Sequence, residues 1–77
     1  MTELLTFLVR ALVDEPDKVA VESFEEDDGT IVLELRVAPD DVGKIIGRGG
    51  RTVGAIRNVI RACSVKENRR VLVDVLD

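Results

Sequence analysis

The sequence predicts a two-layer α+β domain of order α-β-β-α-α-β, with a three-stranded mixed sheet and the helices on one face. Three observations carry that prediction. Apolar pairs spaced by four run through residues 3–14, two β-like segments flank an Asp-Gly turn, and a glycine-bracketed tetrapeptide separates two apolar helical stretches before a last alternating segment. The 77 residues, 45% hydrophobic, suit one domain over 1–77 with a core near the lower limit for independent stability.

The first helix rests on Leu4/Leu5, Leu8/Val9 and Leu12/Val13. Thr2 is its expected N-cap, Glu3 suits the first turn, and Pro16 stops it. Residues 18–25 have β character with imperfect alternation, and Glu26-Asp27-Asp28-Gly29 reads as a hairpin turn. Residues 30–38 alternate well, with Ile31, Leu33, Leu35 and Val37 on one face and Val32, Glu34 and Arg36 on a wet one. Pro39-Asp40-Asp41 opens a short second helix whose apolar contacts are Val42, Ile45 and Ile46, ending at Gly47. The third helix is expected over 50–62, burying Val53, Ile56, Ile60 and Cys63; Gly54 within it costs about 1 kcal/mol against Ala unless another element packs closely there. Residues 65–68 connect to a final strand over 69–76, which returns through a helical pair and so lies parallel to a neighbour.

Composition excludes several functions. There is no His, Trp or Tyr, and no nucleophile–base pair can be assembled, so an enzymatic role is rejected. No metal or cofactor site is expected, because the acidic run 25–28 lacks the spacing of a calcium loop. The single cysteine, Cys63, cannot form an internal disulfide, points to a reducing compartment and reads as a small core residue. No apolar run approaches the roughly 18 residues of a membrane span, and no signal or transit peptide is visible, so the expected location is cytoplasmic.

The net charge of −4 hides an asymmetry. Residues 1–41 hold three cations against twelve carboxylates, a balance of −9, whereas residues 42–73 hold eight against one, a balance of +7. The whole cationic excess surrounds Gly47-Arg48-Gly49-Gly50. Glycine there permits φ > 0 and close approach of bare N–H groups to a large anion, and the loop feeds a helix N-terminus. The pattern points to a backbone-binding site for a polyanion.

Ile45-Ile46-Gly47-Arg48-Gly49-Gly50 followed by Val53 resembles the Ile-Gly-x-x-Gly-x-x-Ile/Val signature of the KH domain, in its type II arrangement. The runs 37–47 and 62–70 are similar to the small bacterial KhpA (YlqC) family, and the likeness spans residues 4–75. It implies a single-stranded RNA-binding protein, a chaperone or post-transcriptional regulator, whose loop clamps about four nucleotides by their backbone. By that resemblance Gly47 and Gly50 shape the loop, Arg48 and Gly49 are its variable positions, and Lys44, Arg48 and Arg51 are candidate phosphate contacts. Ile46 and Val53, with part of the second strand, would form an apolar groove. Gly49 stands where the family more often has a polar side chain, which removes one side-chain contact. The resemblance also implies a homodimer or a complex with a larger KH-containing protein of the KhpB (Jag) type.

Phe7 and Phe24 are the only aromatics, which disfavours recognition by base stacking. A P-loop or dinucleotide fingerprint is absent, and three strands disfavour a helix-turn-helix. Arg57 and Arg61, four apart, read as a solvated face ahead of an RNA contact. Arg69-Arg70 fit either an edge-strand guard or a nucleic-acid patch. A second class of function stays open: a protein-interaction module whose first helix faces a partner and whose glycine loop is secondary.

Overall fold

The computed structural model describes residues 1–76. Its elements are α1 (Thr2–Arg10), β1 (Ala20–Glu25), β2 (Ile31–Arg36), α2 (Val42–Ile46), α3 (Arg51–Lys66) and β3 (Val71–Val75), with single 3-10 turns at Pro16–Lys18, Pro39–Asp41 and Arg48–Gly50. The sheet order is β1-β2-β3, with β1 antiparallel and β3 parallel to the central β2. The fold class and element order are as the sequence predicts.

Period-two alternation places β2 correctly: Leu33 and Leu35 are buried, Val32 and Glu34 half-buried, and Arg36 exposed. The register puts Val21 opposite Leu35 and Val73 beside Leu33, so these side chains share the inner face. On that face lie Leu5 and Val9 of α1, Ile45 of α2, and Ile56 and Ile60 of α3, forming one core with Leu33, Leu35 and Val73. α1 packs against β1, α3 against β3, and α2 against α3. The outer face carries Phe24, Val32 and Leu72 in one cross-strand row beside Glu22, Glu34 and Asp74.

Helix boundaries differ from the expectation in three places. α1 begins at Thr2, with Met1 in the N-cap position, and ends at Arg10 instead of running to residue 14. The amides of Asp14 and Glu15 do not continue the helix; they donate to the Asp41 carboxylate at 3.2 and 3.1 Å. The second helix is preceded by a separate 3-10 turn at Pro39–Asp41, leaving only Val42–Ile46 as α-helix.

α3 extends to Lys66, four residues beyond 62, taking in part of the expected connector. Ser64 lies buried within it, its hydroxyl donating to Arg61 O at 2.8 Å. Asn68 ends it in the left-handed region at φ 56°. Its amide donates to Val65 O at 3.1 Å and that of Arg69 to Ser64 O at 3.0 Å, the bonding of a Schellman motif. The buried position there belongs to Ser64; Cys63, expected in the core, is only half-buried.

Candidate nucleic-acid interface

The loop between α2 and α3 is built from three glycines at positive φ. Gly47 closes α2, donating to Gly43 O at 2.9 Å, and then turns sharply at φ 74°, ψ 174°. Arg48–Gly50 make one 3-10 turn, closed by Gly50 N–H on Gly47 O at 3.2 Å. Gly49 and Gly50 stand at φ 64° and 77°. A Cβ on Gly47 would lie 2.3 Å from Thr52 Oγ1 and 2.8 Å from its Cβ, so both backbone conformation and space require glycine. At Gly49 and Gly50 a Cβ would enter open space, and conformation alone favours glycine. α3 starts without a side-chain cap, which leaves the positive end of its dipole to the loop.

The structure brings together most of the residues singled out from the sequence. Gly47, Arg48, Gly49, Gly50 and Arg51 form one continuous turn, with both arginines exposed and in no ion pair among the described residues. Ile46 is 37% exposed beside it. Val53, 5% exposed, presents almost no surface. β2 is the central strand with both edges paired, so it offers a groove no free backbone; the free edge next to α3 is that of β3.

Lys44 points elsewhere. Its ammonium pairs with the Asp14 carboxylate and lies 3.8 Å from Asp41 Oδ1. The hydrogen bond to Asp14 raises its pKa above the ordinary 10.5, against partial desolvation. Asp41 is 1% exposed, and its two oxygens hold the amides of Asp14 and Glu15. Sequence reasoning treated Asp41 as a carboxylate opposing a helix dipole. Its spacing of four from the buried Ile45 was the available signal that it faces inward.

The remaining arginines separate by role. Arg57 donates through Nε at 3.3 Å and Nη2 at 3.1 Å to Val73 O, covering the free edge of β3. It is therefore more than a solvated side chain. Arg69 pairs with Glu25 across the sheet at 3.1 Å, and both partners are at least half exposed. Arg61 and Arg70 flank a shallow groove of about 600 Å³ over Val65, Val71 and Leu72 and join no ion pair among the described residues. No group of acidic or cysteine side chains suited to a metal occurs among the described residues.

A profile of the family described as KhpA/KhpB, KH domain matches residues 2–75. Two similar curated proteins are each named RNA-binding protein KhpA. That of Clostridium acetobutylicum is 49% identical over 99% of this chain and 100% of the relative; that of Borreliella burgdorferi is 52% identical over 97% and 90%. Among solved structures, Era in complex with MgGDPNP and nucleotides 1506–1542 of 16S ribosomal RNA superposes with a TM-score of 0.63 at 21% identity. That match covers 96% of this chain and 28% of the Era chain, and it shows the fold alone. The chain belongs to the KhpA/KhpB KH-domain family.

Proposed function

We propose that this KhpA/KhpB-type KH domain, one domain over residues 1–77, binds single-stranded RNA by clamping its backbone on the loop Gly47–Gly50, acting as an RNA chaperone or post-transcriptional regulator in the cytoplasm. One observation supports this above the others. The only described turn holding three glycines at positive φ carries Arg48 within it and runs into Arg51 at the start of a 16-residue helix, both arginines unpaired among the described residues. Phosphate accepts from backbone amides and from Arg48 and Arg51, while Ile46 offers apolar contact for sugars and bases. Lys44 joins them once released from Asp14, and Val53 is buried and offers almost no surface. The relatives' name, RNA-binding protein KhpA, agrees with this reading. Nothing in it requires a catalytic group, metal or cofactor.

The test is binding of a labelled unstructured RNA across a salt series, with wild type compared with Arg48→Asp/Gly49→Asp. The expected result is binding by wild type, with a log–log salt slope of about 0.7 per phosphate neutralised, and loss of binding in a variant that keeps its fold. Equal binding by both proteins, or none by either, overturns the clamp.

A second reading, a protein-interaction module forming a homodimer or pairing with a larger KhpB-type protein, has its own support. Phe7 on α1 is 70% exposed and Leu12 just beyond it 45%; Val59 and Val65 on α3 are 43% and 72% exposed. A dimer of weak clamps would gain affinity by avidity, so the two readings are compatible. They part on the loop variant, which abolishes RNA binding in the first and leaves association untouched in the second.

A further inference from the structure

We propose that Asp14 is a built-in competitor for RNA phosphate at Lys44, an autoinhibitory contact released on binding; the proposal rests on the RNA-binding reading above. Lys44 carries two carboxylates of different character. Asp41 is buried, and its oxygens are committed to two backbone amides. The side chain of Asp14 is 77% exposed and makes no hydrogen bond or ion pair except with Lys44 among the described residues. The first is a fixed post and the second a removable one.

Asp41 is also what delivers the competitor. By holding the amides of Asp14 and Glu15, it fixes the connector where the residue 14 side chain reaches the ammonium, 30 positions away in sequence. Lys44 sits one position past Gly43, whose carbonyl receives the Gly47 amide and so ties that turn of α2 to the glycine loop. The proposal lays the RNA backbone from Arg48 and Arg51 along α2, so that its next phosphate meets this ammonium. Exposed ion pairs are weak, so a phosphate already held by the loop displaces Asp14 while Asp41 stays. The exchange trades one anion for another, so Lys44 adds little net affinity and no counterion release in the wild-type protein.

Four proteins test this on the same labelled unstructured RNA: wild type, Asp14→Asn, Lys44→Met and the double variant. Asp14→Asn is expected to bind about two- to fivefold tighter. Its salt slope should steepen by about 0.7, and both gains should vanish when Lys44 is methionine. Equal tightening in the Lys44→Met background would reduce Asp14 to general repulsion and overturn the competitor. So would unchanged binding by Asp14→Asn while wild type binds. If none of the four binds RNA, the RNA-binding reading falls and this inference with it, a result distinct from the previous two. A readout free of RNA is the Lys44 ammonium titration by NMR. It should shift toward the ordinary lysine value in Asp14→Asn, and an unmoved titration overturns the pairing.

Discussion

Among the described residues two turns hold glycine at positive φ, and they surround the same conformation with opposite charge. In the β1–β2 turn Gly29 stands at φ 88°, and its neighbours consume the polar groups. Thr30 N–H donates to Asp28 Oδ1 at 2.9 Å, Glu26 N–H to Thr30 O at 2.8 Å, and Gly29 N–H to Glu26 O at 2.9 Å. The carboxylates 25–28 surround it. Between α2 and α3, Gly47 N–H and Gly50 N–H also bond backbone carbonyls, but no side chain caps the three glycines among the described residues, and the charges there are Arg48 within the turn and Arg51 after it. The first turn closes on itself. The second has cations where the first has carboxylates, so the chemistry around a glycine, more than its φ, separates a self-capped turn from the one proposed to bind RNA.

The largest expected effect comes from adding one methyl group in each turn. Gly47→Ala meets both a positive φ and Thr52 at 2.3 Å, whereas Gly29→Ala meets the same backbone strain with nothing within 4 Å. Gly47→Ala should therefore lose about 3 kcal/mol and Gly29→Ala about 1 kcal/mol. Thermal melts would show the difference as midpoint drops of about 12–24 °C against 4–8 °C. Equal losses would mean that Thr52 yields, and that conformation alone accounts for glycine in both turns.

Most of the architecture was legible because its signals are local. Alternation over 30–38 marked β2 and its buried face, apolar spacing marked α1 and α3, and the glycine run marked the loop. What escaped depends on contacts across the chain. Lys44 looked like a phosphate ligand from its place beside the loop, yet its partner Asp14 is 30 residues earlier. The connector after α1 is held by Asp41, 27 residues beyond Asp14. Arg57 reads as solvated on a helical wheel because the carbonyl it covers belongs to β3, 16 residues on. The end of α3 had a usable local signal in Asn68, a residue that tolerates the left-handed region.

A glycine in a third setting sharpens the contrast. Gly54 lies one turn into α3 with ordinary helical geometry, and a Cβ there would meet nothing within 4 Å. Its cost is uncompensated by packing, so Gly54→Ala should stabilise the domain by about 0.5–1 kcal/mol. RNA affinity should stay within about twofold of wild type if the open region stops at the loop, a change below the cost of most lost contacts. A stabilised variant that binds RNA poorly would instead extend that region onto the first turns of α3.

The smallest effect distinguishes the turns by pH. Asp28 has its pKa lowered below the ordinary 3.8, chiefly by the hydrogen bonds from Thr30. The folded form thus holds its proton less tightly than the unfolded chain. The stabilisation from this contact is present above pH 3.8 and is lost as pH falls through the lower folded value. Lys44 is displaced in the opposite sense, so its tie is present below pH 10.5 and lost as pH rises through the raised folded value. Acid should loosen the hairpin turn and alkali the connector beside the glycine loop. Melting midpoints of wild type and Asp28→Asn should converge as pH drops from roughly 5 to 2, whereas Lys44→Met should approach wild type only on the alkaline side. Parallel acid curves for wild type and Asp28→Asn would show that the Thr30 amide does not rely on the charged carboxylate. The hairpin turn would then be held by its backbone bonds alone, and the loop's lack of side-chain partners would no longer set the two apart.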